Sequence, residues 1–198
     1  MRKMIVFISA LIVLLIICSS CGTSYPYRNM EIRETNEMGM SAFEIKNLSD
    51  LEEHSAAIVS GWVHNDGVRV NRMSSDDTRY AMKSTMEVTK AYKGDIEEGT
   101  TIQLIEDWYI DETEDNTLIV RDGYMPSDVN QEYIFFLGKN GERSKFSGCY
   151  GPLFNEASRF PVPRSAMMRF FGQDELYMRD PTQLFYDIYE EVQEKYLS

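Results

Sequence analysis

The sequence predicts a mainly β domain, a small barrel or sandwich of short bent strands with a short helix before it and a longer helix after it. Three observations predict this. Apolar residues recur with period two in several short runs from Ala57 to Leu137, the spacing of half-buried strands. Gly, Asn and Asp clusters punctuate those runs. From Asp180 onward the period switches to helical. The chain has 198 residues, 43% hydrophobic and 26% charged, which is globular in composition and enough for one medium domain.

In chain order, Ser49-Asp50-Leu51-Glu52 reads as a capping box and predicts a short helix near 50–55, with Ser49 as its N-cap. Ala57-Ile58-Val59-Ser60-Gly61-Trp62-Val63 reads as a strand, with Gly61 marking a bulge or sharp bend. His64-Asn65-Asp66-Gly67 is a turn signal, and Val68-Arg69-Val70 alternates beyond it. Tyr80, Met82, Met86, Val88 and Tyr92 fall on one face of a second strand, with Lys83, Thr85, Glu87 and Thr89 on the other. Ile102, Leu104, Trp108 and Ile110 alternate as a third, and Leu118-Ile119-Val120 makes a fourth. Tyr133-Ile134-Phe135-Phe136-Leu137 is apolar on both faces, which predicts the most central strand. Asn140-Gly141 is a turn, and 145–150 is expected to pair back. Asp180-Pro181-Thr182 starts the tail helix with Asp180 as N-cap, and Leu184, Phe185, Ile188, Val192 and Tyr196 form its apolar stripe. Asp187, Glu190, Glu191 and Glu194 make the other face acidic, so this helix packs on the β domain and not on a membrane.

The N-terminus reads as an address. Arg2-Lys3 precedes an apolar run over 4–18, interrupted by Ser9, and the run ends at Ser19-Ser20-Cys21-Gly22. It is shorter than the roughly 20 apolar residues of a spanning helix. The ending resembles the lipobox of bacterial lipoproteins, in which small residues precede a cysteine that is acylated and becomes the new N-terminus. Cys21 fits, after Ser19 and Ser20; Cys18, after Ile17, does not. The resemblance implies cleavage between Ser20 and Cys21, acyl chains on Cys21, and an extracytoplasmic, membrane-held protein; the alternatives are an ordinary secretory signal and an uncleaved anchor. The expected organisation is a signal peptide over 1–20, a tether over 21–47, a barrel domain over 48–165 and a helical tail over 166–198.

Charge narrows the partners. Twenty basic against 32 acidic residues give −12, and loss of Arg2 and Lys3 leaves 18 against 32, or −14 before termini are counted. Nucleic acid is excluded as a partner by that balance, and anionic lipid is repelled, so membrane residence falls to the acyl chains. Cleavage and acylation leave Cys149 as the one remaining thiol, so no intramolecular disulfide supports the domain.

Residues 49–150 resemble the netrin/TIMP-like OB fold of the tissue inhibitors of metalloproteinases and the netrin C-terminal modules. Residues 49–63, ending Ala-Ala-Ile-Val-Ser-Gly-Trp-Val, match its helix-to-first-strand opening. Ala91-Tyr92-Lys93-Gly94 matches its "v-y-K-G" strand end, and 131–137 matches its "G-x-x-Y-L-x-f" strand, in the right order. The resemblance implies an OB-like barrel. It does not carry the inhibitors' zinc-chelating N-terminal cysteine, because Cys21 here would bear lipid a tether away from the barrel.

No cofactor or metal site is expected. His54 and His64 stand apart from any ligand cluster. Residues 111–122 loosely follow a calcium loop, but Asn116 replaces the turn glycine and Asp122 the bidentate Glu. Cys149 has no neighbouring base and reads as a buried structural thiol. Asp76-Asp77 and Glu97-Glu98 are acid pairs without a sorting geometry, and no Gly-x-Ser-x-Gly, P-loop or dinucleotide motif occurs. The expectation is a lipid-anchored, non-catalytic binding module. Asp111, Glu112, Glu114 and Asp115 would be its ligand surface, and a cationic envelope protein or peptide its partner. The alternatives are an envelope hydrolase without a recognisable motif and a calcium-dependent adhesion module.

Overall fold

The computed structural model describes residues 27, 29–35, 44–72, 79–163 and 178–197. In order these hold β1 (Ile32–Thr35), α1 (Leu48–His54), β2 (Ala57–Val63), β3 (Val68–Asn71), β4 (Tyr80–Lys93), β5 (Thr101–Glu106), β6 (Trp108–Asp111), β7 (Thr117–Arg121), β8 (Glu132–Lys139), β9 (Tyr150–Pro152), β10 (Arg159–Pro161) and α2 (Gln183–Tyr196). The lipobox, the Asp76-Asp77 pair and the start of the expected helical tail lie outside the described residues.

Strands β2, β4, β5, β9 and β8 follow one another around a closed barrel, with β8 returning to β2. All neighbours are antiparallel except β5 and β9, which run parallel through Leu104 and Tyr150. The fold is mainly β and OB-like, as predicted. Val59, Met86, Val88, Leu104, Tyr133, Phe135 and Leu137 fill the barrel. Strand β8 is buried on both faces for a definite reason. Its odd residues point into the barrel, while Ile134 and Phe136 point out against Leu48 and Leu51 of α1 and Phe185, Ile188 and Val192 of α2. Phe160 of β10 stacks on Phe185 (5.2 Å) and on Tyr189 (5.7 Å), whose rings lie 5.9 Å from each other, and Tyr189 donates to the Pro161 carbonyl at 2.9 Å.

Several expectations need correction. The stretch 21–47 is not all tether: Ile32–Thr35 is a strand, paired parallel with Leu118, Ile119, Val120 and Arg121 of β7. Tyr27, Met30 and Ile32 pack on Trp108, Leu118 and Val120. The expected third strand is two strands in different sheets, β5 in the barrel and β6 with β1 and β7, and the corner falls at Asp107. The 64–67 turn does not fold β3 back onto β2. Both strands run antiparallel to β4, β2 along residues 86–93 and β3 along 80–83. The even face of β4 does not persist to Tyr92. Thr89 and Tyr92 are both skipped in the register with β2, so Ala91 turns into the barrel and Tyr92 out against the helices.

Of the expected back-pairing over 145–150, only Tyr150 lies in a strand; β9 runs Tyr150–Pro152, and the preceding loop is a series of turns. Both N-caps are displaced by two residues. Asn47 caps α1, its side chain accepting from Asp50 N, and Thr182 caps α2, accepting from Phe185 N. Ser49 and Asp180 do neither; Asp180 sits at φ +52 instead. The bend predicted at Gly61 is present, at a register shift opposite Val88.

A polar group lies where the barrel meets the three-stranded sheet. Glu106, the last residue of β5, is wholly buried. Its carboxylate accepts from Tyr124 Oη (2.8 Å), Ser127 Oγ (2.5 Å) and Trp108 Nε1 (3.4 Å), and pairs with Arg159 Nη1 at 3.4 Å. The Arg159 guanidinium also donates to Ser127 Oγ (2.8 Å) and lies 4.3 Å from the Tyr124 ring centre and 4.9 Å from that of Tyr133. Burial pushes the Tyr124 hydroxyl far above its ordinary pKa, so it stays a donor. Among the described residues no helix is long and apolar enough to cross a membrane.

Candidate binding groove

One face of the sheet is built by β3, β4 and β5. Strand β3 carries the line of β2 past a bend whose missing ladder contacts are replaced. His64 N–H donates to the Thr85 carbonyl (2.8 Å), and Asp66 Oδ1 accepts from Thr85 N–H (2.9 Å). One carboxylate thus does what a strand carbonyl would do. Burial works to raise the Asp66 pKa, but hydrogen bonds from Thr85 outweigh it and hold the group below the usual carboxylate range. Register then sets the outward residues: Val68 opposite Lys83, Val70 opposite Ala81, and Thr85 opposite Gln103. Val70 packs on Ala81, Ile105 and Cys149, with Phe146 of the β8–β9 loop over them. Cys149 is buried and in no disulfide among the described residues.

Beside that small core runs a groove of about 250 Å³, lined by Asp66, Val68, Val70, Lys83, Ser84, Thr85 and Gln103. Val68 is 63% exposed, although a large aliphatic side chain ordinarily gains about 1.5–3 kcal/mol on burial. Gln103 Nε2 donates to Thr85 Oγ1 at 3.3 Å. No carboxylate pairs with Lys83 among the described residues. The groove therefore offers an apolar ledge, one amine, the Asp66 carboxylate and a hydroxyl–amide pair. Such a set suits contact and hydrogen-bond recognition; the lining includes no histidine or cysteine to act as base or nucleophile.

A larger cleft of about 740 Å³ separates α1, β4 and α2, but its polar atoms hold the two helices together. Glu52 accepts from Lys195 and Tyr196, and Lys93 Nζ caps the Glu52 and Glu53 carbonyls at the end of α1. Burial and the Glu52 contact push the Tyr196 hydroxyl well above its ordinary pKa.

The residues expected to bind a cationic partner stand at the tip of the β6–β7 hairpin. Asp111 Oδ1 accepts from Thr113 N–H and Oγ1, and these bonds, with Arg33 and Arg69 nearby, lower its pKa. Glu114 pairs with Arg33 at 2.5 Å, while Glu112 and Asp115 are exposed. Part of this charge is thus met by β1. The calcium-loop pattern is not assembled, since Asp111 and Asp122 flank the two ends of β7, roughly 17 Å of strand apart. No His, Cys, Asp and Glu grouping fit for a metal occurs among the described residues. His54 ends α1 on the surface, and His64 lies 3.8 Å from Glu87. Glu97 and Glu98 are exposed in the β4–β5 turn, Glu98 accepting from Ala91 N.

Sequence reasoning missed a carboxylate cluster at the Asp107 corner. Asp107 pairs with Arg72 and with Arg121 (3.5 Å), and Asn155 Nδ2 bridges it (3.1 Å) to Asp122 (3.4 Å). Burial, helped by Asp107 and Glu34, raises the Asp122 pKa, and burial with Asp122 raises that of Glu156. An acid whose folded pKa is raised binds its proton more tightly in the native state. Its ionisation therefore removes stability as pH rises above the unfolded value, about 3.9. Asp122→Asn keeps an acceptor for Asn155 and suits φ +49. It is expected to raise Tm by about 1–2 °C at pH 7, small because the group is only partly buried, with no gain at pH 3. Thermal melts at the two pH values check this, and an equal shift at both would refute it.

Fold and groove together define an OB-like barrel with a groove on its β3–β4–β5 face. No protein-family model, curated protein or solved structure matches the chain.

Proposed function

We propose that the protein is a bacterial lipoprotein, held by acyl chains on Cys21 at the extracytoplasmic face of the cell membrane, whose barrel is a non-catalytic binding module. The observation that carries the anchor is the sequence itself: a basic start, a short apolar run, and Ser19-Ser20 directly before Cys21. The binding role is supported by the groove, where an exposed valine and a lysine that pairs with no carboxylate among the described residues share one face. By analogy of fold, OB barrels commonly bind ligands on this face and its flanking loops. Lys83 and Asp66 place one charge of each sign in the groove, and Arg33 already meets part of the acidic hairpin tip.

The anchor is tested by metabolic labelling with a palmitate analogue. Label is expected on the wild type and on Cys18→Ala, and absent from Cys21→Ala. Label persisting in Cys21→Ala but lost in Cys18→Ala would sink the assignment.

A further inference from the structure

We infer that Glu52 is an acid-sensitive latch: its carboxylate bars a cleft between α1 and α2, and protonating it frees the last turn of α2 and joins the two halves of that cleft. The inference stands apart from the groove on β3–β4–β5 and goes beyond the binding-module reading.

Two openings flank the latch. One is the cleft of about 740 Å³ between α1, β4 and α2, and the other, of about 450 Å³, lies between α1 and α2 and reaches Leu48, Glu191 and Glu194. Ser49, Glu52 and Lys195 line both, so the bridge across Glu52 is the partition between them. Lys195 Nζ donates to Glu52 Oε2 at 2.7 Å, and Tyr196 Oη donates to Oε1. Both donors lie in the last turn of α2, so one carboxylate ties the end of that helix to α1. The rest of α2 is held differently. Phe185, Ile188 and Val192 are buried in the apolar core, and Val192 is the last of them. Beyond it the Tyr196 ring meets Tyr92 at 4.9 Å and Phe136 at 5.9 Å, both edge to face. The piece that can lift without disturbing the core is therefore the turn after Val192.

Acid changes the surroundings as well as the latch. Glu53 faces Glu52 from α1, and Lys195, Tyr196, Glu191 and Glu194 face it from α2. From β4 come Lys90, Tyr92 and Lys93, the last with its Nζ on the Glu52 and Glu53 carbonyls. Near neutral pH the ammonium groups of Lys90, Lys93 and Lys195 stand among the carboxylates of Glu52, Glu53, Glu191 and Glu194. Protonating the acids leaves the three cations facing one another with no counter-charge. Burial works to raise the Glu52 pKa, but hydrogen bonds from Lys195 and Tyr196, with the charges of Lys195 and Lys93, outweigh it and hold the group below the usual carboxylate range. A carboxylate depressed in this way stabilises the closed form fully above its free value, about 4.3, and the contribution is lost as pH falls through the depressed one. The latch is closed at pH 6 and opens in acid.

Hydrogen exchange of backbone amides, measured by NMR on the full chain in detergent micelles and corrected for intrinsic rates, tests this. Between pH 6 and pH 3 the protection of the Lys195 and Tyr196 amides is expected to fall about fivefold relative to that of Phe136 in β8. Glu52→Gln should show the low protection at both pH values, because an amide offers Lys195 no charge. An unchanged ratio in the wild type would overturn the latch. So would a loss at Phe136 in step with Tyr196, which would mean acid unfolding of the whole domain. A wild-type pH response that survives in Glu52→Gln would move the switch to Glu191 or Glu194 and overturn the role of Glu52.

Discussion

Arg159→Ala is expected to cost about 3–5 kcal/mol of folding stability. The substitution leaves Glu106 buried with its charge uncompensated, at the joint between the barrel and the three-stranded sheet. It also removes the cation between the Tyr124 and Tyr133 rings, each buried, so a void joins the electrostatic loss. Tyr124 and Ser127 would still donate to Glu106, but two neutral hydroxyls do not replace a guanidinium. Urea unfolding of wild type and variant measures the loss. The double variant Glu106→Leu with Arg159→Met should recover much of it, because a buried ion pair replaced by packed apolar groups is often neutral. A loss under about 1 kcal/mol for Arg159→Ala would mean the pair is hydrated and contributes little.

Gly61→Ala is expected to cost about 3 kcal/mol or more, although it adds one methyl group. A Cβ at this position would lie 2.1 Å from the Glu87 carbonyl oxygen and 2.6 Å from Met86 Cε. The methionine can move, but the carbonyl belongs to the β2–β4 ladder and cannot move without opening it. For a chain of this size such a loss lowers Tm by about 6–12 °C. Gly141→Ala is the control, since nothing lies within 4 Å of its Cβ, and it should change stability by no more than about 0.5 kcal/mol. Similar melts for the two variants would show that β2 and β4 can separate locally at no cost.

Strand β8 and the stripe of α2 were legible in the sequence because each depends only on local period: five successive apolar residues, and the helical spacing from Leu184 to Tyr196. Gly61 was legible because a glycine inside a strand pattern has few other reasons to be there. The corner at Asp107 was not, since alternation runs through it unbroken and the break is made by Arg72 and Arg121, distant in sequence. Nor were the bulges at Thr89 and Tyr92, which exist only relative to the partner strand. Strand β1 has one apolar residue in four and gains its place by pairing with β7. The Glu106–Arg159 pair joins residues 53 positions apart. The groove was half visible: Val68 and Lys83 were both read as strand residues, but only long-range register puts them opposite each other on one face.

Strand β1 sets a length. Tyr27 already packs on Trp108, 5.1 Å between ring centres. From an acylated Cys21 to Tyr27 the chain has six residues to pay out, at most about 20 Å when fully stretched. With Cys21 acylated as proposed, the barrel would be moored beside the lipid headgroups and not floated above them. A ligand would then have to come within about one domain diameter of the bilayer, and a partner sharing the membrane would meet the barrel by lateral diffusion in a thin layer. Lengthening that six-residue leash would alter how far the protein can reach without touching its groove, its core or its anchor.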